Sequence, residues 1–309
     1  MENKNQNHII FDDEYSLNEI FSAILKRKIL ILLVSISAAL GSVFYALSLS
    51  DIYTSSATLS PVDNSGSMSS MLGSYSSLAG LAGINVGGNS SKSEEAIERI
   101  KSLDFFSNHF IPNIKLEDLS AVEDWDSENN SVIYNEKVFN ETEKKWIRKV
   151  SFPLKTVPSN QEAYEEYQKI LSIYESKKTG FIVISVSHPS PYIAKEWTEI
   201  IIYNINESMR EIDREESLNS IDFVTKLMET TKLSEIRDAL ARLVENQMQT
   251  LMMASASEGY VFNVINAPVV QEKKSAPSRA LICILGTLFG LVIGIFISLF
   301  LHFFRKEKH

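Results

Sequence analysis

Few residues in this chain are arranged as chemistry would need them. The five histidines, His8, His109, His188, His302 and His309, are scattered, and no two stand at the spacing by which a helix presents two ligands to one metal. Glu162, Glu165 and Glu166 lie close enough on one helical stretch to form a carboxylate pair for acid–base work. In a stretch so polar, a solvated charged face is the preferred reading. Gly83-Ile84-Asn85-Val86-Gly87-Gly88-Asn89-Ser90 has the glycine spacing of a phosphate loop, with Asn89 where the lysine belongs. Without that cation no nucleotide site is expected. There is no Gly-x-Ser-x-Gly turn. A single cysteine, Cys283, excludes an internal disulfide and a cysteine-based zinc cluster. No cofactor and no metal is therefore expected, and the chain is read as a non-enzyme.

One pattern of small residues is regular. Gly286, Gly290, Gly294 and Ser298 recur every four residues, so on a helix they share one face and would let a second helix approach closely. They are the candidate helix-packing and oligomerisation residues. Ahead of them Pro268, Pro277 and Arg279 give a stiff, extended approach to the membrane.

The elements that position these residues follow from how the hydrophobicity is distributed. The chain has 309 residues, 44% hydrophobic and 22% charged, with a net charge of -9. That composition excludes a disordered, collagen-like or many-span membrane chain but permits one or two spans. The negative charge disfavours nucleic acid as a partner. Residues 29–50 carry no charge, and neither do residues 280–304. Each run is long enough to cross a ~30 Å hydrocarbon core. A cleaved signal peptide is the competing reading for the first. The 28 residues before it hold five acids, which favours a retained anchor. Lys26-Arg27-Lys28 precedes the first run, and Arg305, Lys306 and Lys308 follow the second. By the positive-inside rule residues 1–28 and the tail 305–309 are cytoplasmic.

Between them, Asp51–Arg279 holds 33 acids and 23 bases, nearly all of the net charge. Direct binding of an acidic polymer to this external domain is disfavoured on that ground. Tyr53–Leu59 alternates and predicts a strand ended by Pro61. Residues 62–93 are rich in glycine and serine and predict a mobile loop. Capping boxes at Ser91–Glu94 and Ser159–Glu162 predict helices to about Phe106 and Glu175. A further helix is expected over 138–149, a surface connection over 117–130, and a buried strand over 181–186. Strands among helices give a mixed α/β base at 51–191. Ser190 and Pro191 then open a stretch, 192–258, without proline or glycine. Its narrow apolar stripe predicts a helical protrusion of two arms, with the reversal near Thr230–Ser234. Residues 259–279 bring the chain back as a strand and the proline-containing approach.

Together these features resemble the polysaccharide co-polymerases, the Wzz-type chain-length determinants. The resemblance is carried by Tyr15-Ser16-Leu17, the Tyr53 strand, Ser77-Leu78-Ala79-Gly80-Leu81, Thr179–Val186 with Pro191 and Ala194, Ala267-Pro268, Pro277-Ser278-Arg279 and the glycine face. Arg279 stands where the family commonly has lysine. The prolines between Pro268 and Pro277 are fewer than in many members. The resemblance implies a membrane-anchored α+β fold, two transmembrane helices flanking a periplasmic mixed α/β base domain with a long protruding helical hairpin. It also implies a homo-oligomeric ring in the bacterial inner membrane. Such a protein acts with a membrane polysaccharide polymerase, and through it on a lipid-linked glycan, to set O-antigen lipopolysaccharide length. Two alternatives stand beside this: capsule or exopolysaccharide export with a separate tyrosine kinase and outer-membrane exporter, and a two-span receptor for a periplasmic ligand.

Overall fold

The computed structural model describes residues 25–62, 92–256 and 259–306. The glycine run at 83–90 and most of the predicted mobile loop lie outside the described residues, as do Tyr15–Leu17, Ser77–Leu81 and the cap residue Ser91. In chain order the helices and strands are α1 (Lys28–Ser48), β1 (Tyr53–Pro61), α2 (Lys92–Ile100), α3 (Leu103–Phe105), α4 (Leu116–Ser120), β2 (Val122–Asp126) and β3 (Ser131–Tyr134). There follow β4 (Phe139–Asn140), β5 (Lys145–Trp146), α5 (Asn160–Ile170), β6 (Leu171–Glu175) and β7 (Ile182–His188). The chain closes with α6 (Pro191–Thr230), α7 (Ser234–Ala256), β8 (Phe262–Asn266) and α8 (Arg279–Lys306). It divides into two compact units, residues 1–50 with 276–309, and residues 51–275.

The first unit is an antiparallel pair of helices, α1 and α8. Both are long and apolar enough to cross a membrane, with mean hydropathies of 2.3 and 2.8. Their outward side chains, Phe44, Leu47, Phe289 and Phe296 among them, are exposed, as a lipid-facing surface requires.

The second unit is built on a four-stranded antiparallel sheet in the order β6-β7-β1-β8. Alternation decides its faces. Ser55, Ala57 and Leu59 of β1 point inward beside Ile182, Ile184 and Val186 of β7. The opposite face carries hydroxyls paired across the strands, Thr54 with Ser187 and Ser56 with Ser185, each at 2.9 Å. Against the apolar face pack Trp197, Ile201, Ile205 and Met209 of α6, Tyr167 of α5, and Phe106 and Phe110. Each such large side chain withdrawn from water contributes about 1.5–3 kcal/mol. The whole therefore is a mixed helix and sheet chain with two apolar helices near its ends.

Local contacts redraw several expected elements. Residues 138–149 are a hairpin, not a helix. Asn140 Oδ1 accepts from the Glu143 N–H at 3.0 Å, Lys144 takes φ of 49°, and Phe139 and Trp146 meet edge-on at 5.3 Å. The stretch 117–130 is no bare connection: it holds most of α4, β2 and the turn into β3, made where Asp126 Oδ1 accepts from Glu128 N–H at 2.9 Å. Trp125 on β2 packs between Tyr53 and Tyr192. The helix capped by Ser159 and Glu162 stops at Ile170 rather than Glu175. Leu171–Glu175 alternates and finds a free edge on β7, so pairing wins over helix extension. Tyr174 is thereby exposed on a strand, whereas Tyr167 is buried. The helix expected to reach Phe106 ends at Ile100. Ser102 Oγ accepts from the Phe105 N–H to start α3, and a π-helical turn at Phe106–Phe110 lets both phenylalanines enter the core.

Ser190 caps α6, with Pro191 at its first position. The helix runs 40 residues, about 60 Å at 1.5 Å per residue. Its first half belongs to the sheet layer and its second half packs on α7; Ser217 and Val224 of α6 and Leu240 of α7 are buried there, while Ala254 of α7 joins the core. The chain reverses at Thr231–Leu233, where Thr230 and Thr231 hydroxyls donate to Leu227 O at 3.0 and 2.7 Å.

Candidate functional site

The regular small-residue face of α8 is occupied by α1 of the same chain. A Cβ on Gly286 would fall 2.4 Å from Ser42 Cβ, and one on Gly290 2.3 Å from Ala38 Cβ. One on Gly294 would fall 3.1 Å from Ile31 Cα. Ser298, one turn further, is fully buried. For helices of this kind placed in lipid, association brings no hydrophobic gain. Close approach and dispersion contacts must supply it, and glycine is what permits that approach. Gly41 on α1 is the contrasting case, with open space around a Cβ placed there.

Both ends of this pair are tied by arginines. Arg27 Nη2 donates to Leu301 O at 3.2 Å, and Arg279 Nη2 donates to Leu49 O at 3.3 Å. Each cation thus satisfies a carbonyl near the C-terminal end of the opposite helix, where the backbone dipole is negative. Pro277 precedes Arg279 within the same unit. Pro268 lies in the second unit, buried, where Ser55 Oγ donates to Val269 O at 2.9 Å. The structure therefore brings the four small residues and Arg279 onto one helix pair, and Pro268 belongs to the other unit. The return segment is fastened to the start of β1. Lys274 pairs with Asp51 at 2.9 Å, and the Ser275 N–H donates to Ile52 O at 2.8 Å.

A second constellation controls how the helical arm rejoins the sheet. Asn206, buried on α6, accepts with one Oδ1 from the N–H groups of Tyr260, Val261 and Phe262 at 3.1, 2.8 and 2.9 Å. Its Nδ2 donates to Ile202 O and Phe262 O at 3.1 and 3.2 Å. One side chain thereby satisfies the incoming backbone of β8. One stretch further along, Asp213 accepts from Lys92 Nζ and from the Tyr260 hydroxyl. Burial, reinforced by that carboxylate, pushes the Tyr260 hydroxyl above its ordinary pKa.

The buried His188 sits at the start of α6. The Ser190 N–H donates to Nδ1 at 2.9 Å, so Nε2 carries the proton and donates to Asp118 O at 2.9 Å. Burial lowers the pKa of this imidazole below its usual 6.5. The unfolded chain then binds a proton more readily than the folded one. The neutral ring's stabilisation is present in full above about pH 6.5 and is lost as pH falls towards the depressed folded value. Thermal unfolding of the detergent-solubilised chain should show a melting temperature that drops between pH 7 and 5. His188→Asn, which keeps an acceptor for Ser190, should shrink that drop; an identical pH slope in the variant would contradict this role.

Arg148 makes the remaining tight cluster. It pairs bidentately with Glu162 at 2.7 and 2.9 Å and donates to Thr156 O and Lys155 O at 2.8 and 2.5 Å. The Arg148 hydrogen bond, with the Ser159 N–H of the capping box, holds the Glu162 carboxyl down at about 2. Glu162 is thus a cap and an anchor. Glu165 and Glu166 take no part in this cluster, and Glu166 pairs with Lys169 at 2.8 Å.

Asn206 and His188 are not among the residues whose type and spacing point to a site. The available signal for Asn206 was a polar residue interrupting the apolar stripe between Ile205 and Met209. His188 ended a strand and offered no such signal.

Residues 13–111 match the family model described as Wzz, chain length determinant protein. No curated protein matches the chain. Among solved structures, a full-length bacterial polysaccharide co-polymerase matches at 12% identity and TM-score 0.40, over 94% of this chain and 99% of that one. A fragment of WzzB, a polysaccharide co-polymerase from Salmonella Typhimurium, matches at 14% identity and TM-score 0.29, over 74% of this chain and 100% of that one. At such scores the architecture rests on this chain's own elements, and the similarity to the Wzz family model is confined to residues 13–111.

Proposed function

We propose, proceeding from the match of residues 13–111 to the Wzz chain length determinant model, that the chain is a non-catalytic, membrane-held regulator of surface polysaccharide length. It works as a homo-oligomer beside a separate membrane polymerase. The Wzz match is the observation that carries the reading. Two helices of bilayer length, near the two ends of the chain, support it. So does the helical arm, which leaves Phe223 of α6, Leu233 of the turn and Met252 of α7 at 67%, 65% and 64% exposure. Large apolar side chains left in water along the arm are what a neighbouring copy would cover. A non-catalytic role fits the use of these polar groups: Asn206, His188, Glu162 and Asp213 are each engaged in holding backbone or ion pairs.

In this reading both termini lie in the cytoplasm, α1 and α8 span the inner membrane, and residues 51–275 stand in the periplasm. The glycan is the O-antigen of lipopolysaccharide. Deleting the gene should broaden or shift the O-antigen ladder on a gel, and supplying the chain in trans should restore it. An unchanged O-antigen ladder with altered capsule or exopolysaccharide length would reassign the glycan. Unchanged length in every surface glycan would overturn the proposal.

A further inference from the structure

Residues 144–158 stand apart from the unit that contains them. They hold five bases, Lys144, Lys145, Arg148, Lys149 and Lys155, and no acid, within an external segment of 33 acids and 23 bases. Every residue from Lys149 to Val157 is exposed. Phe152, at the tip, is 97% exposed, and Val150, Leu154 and Val157 are exposed around it. Leaving an aromatic side chain wholly in water is unfavourable, and a cluster of such residues on a protruding tip marks a surface that meets something apolar.

The tip is presented by a built support. Arg148 donates to the carbonyls of Lys155 and Thr156 while its other edge is fixed on Glu162, so it ties the two strands of the loop together and to the start of α5. The Leu154 N–H closes a turn on Ser151 O at 3.0 Å. Below it the β4–β5 hairpin is braced by the Phe139–Trp146 ring contact. A loop held this way loses little freedom on binding.

We propose that the loop 149–157 is an interfacial membrane anchor, which places Phe152 and Leu154 among lipid headgroups with Lys149 and Lys155 against anionic phosphates. A convex apolar knob flanked by lysines suits a fluid interface, where side chains sink to headgroup depth and ammonium groups reach back to phosphate. The argument for lipid is the juxtaposition of a wholly exposed phenylalanine with five bases and no acid, which matches the apolar chains and anionic phosphates that lie side by side at a lipid interface. The acidic surface of a second copy could also attract the lysines, and the test separates the two. The inference rests on the reading that the chain is held in a bilayer by α1 and α8.

The test uses the full chain with Cys283→Ala as background. An environment-sensitive fluorophore is attached at Leu154→Cys or, for comparison, at the exposed turn residue Lys178→Cys. The protein is reconstituted into vesicles of phosphatidylethanolamine and phosphatidylglycerol carrying nitroxide lipids. Flotation with the vesicles confirms insertion; a chain that fails to float overturns the bilayer-held reading itself. In inserted protein the label at 154 should be blue-shifted and quenched several-fold more than the label at 178. Lys149→Gln with Lys155→Gln should lower the lipid-bound fraction relative to the free one by about 5-fold per lysine. Phe152→Ser, at a site touching solvent, should lower it by about 10-fold or more. Equal quenching at 154 and 178 would overturn the proposal. A label shielded from water yet untouched by lipid quencher would also overturn it, by assigning the knob to a protein surface.

Discussion

Asn206→Leu should destabilise the sheet-bearing unit by about 3 kcal/mol or more, lowering its melting temperature by roughly 6–12 °C. The substitution keeps volume but removes the oxygen that accepts from three buried backbone N–H groups, those of Tyr260, Val261 and Phe262. Each N–H left without a partner costs about 1–3 kcal/mol. The carbonyls of Ile202 and Phe262 also lose their donor. Asn206→Asp should fall between wild type and leucine, since it keeps the acceptor but brings a carboxylate beside those same carbonyls. Thermal unfolding of the full chain in detergent, followed by circular dichroism, reads the order. If leucine melts with wild type, the three-fold acceptor is not what fixes the return strand. The functional consequence follows from position: among the described residues β8 is an edge strand paired with β1 alone, and Asn206 ties it to the helix that becomes the arm. Loosening that tie should blur the modal glycan length.

Gly290→Leu should part α1 from α8, whereas Gly41→Leu should not. The first places a Cβ 2.3 Å from Ala38 Cβ and close to the backbone of Ser35 and Val34. Main chain cannot yield as the end of a flexible side chain does, so the helices must separate, at a cost of about 1–3 kcal/mol. Gly41 has nothing within 4 Å of its Cβ, and the same change there improves intrinsic helix propensity by about 0.8–1.0 kcal/mol. Heating each variant in mild detergent and measuring the fraction that stays monodisperse separates them. Equal behaviour would mean that the close approach at Gly290 contributes nothing, and a selective failure of Gly41→Leu would place the essential helix contact on the opposite side of α1.

The legibility of the chain differed by element, for physical reasons. Ser190 with Pro191, and Ser159 with Glu162, are local signals whose partners lie within four residues, and both caps form. The alternation of β1 was equally plain because one face of the sheet is buried and the other carries hydroxyls. Residues 138–149 failed as a helix because two-residue strands leave almost no periodicity, and the hairpin is decided by the Asn140 turn and a Phe139–Trp146 contact seven residues apart. Leu171–Glu175 failed because its partner, β7, lies across a turn that local propensity does not register. The glycine face of α8 was visible as a face, but its neighbours Ser42, Ala38 and Ile31 lie some 250 residues away in sequence, and small residues alone do not name their partner. Asn206 was legible only as an oddity in a stripe, since its meaning depends on backbone groups 54 to 56 positions away.

The most direct measurement is the length distribution of the glycan made by the cell's own polymerase, with this chain absent, present, or present as Asn206→Leu. With the polymerase alone the lengths should be broad. With the wild-type chain they should gather about a mode while the total of polymerised repeats stays about the same, and with the variant the mode should blur. Polymer formed when the polymerase is absent, or a distribution indifferent to this chain, would contradict a non-catalytic regulator of length.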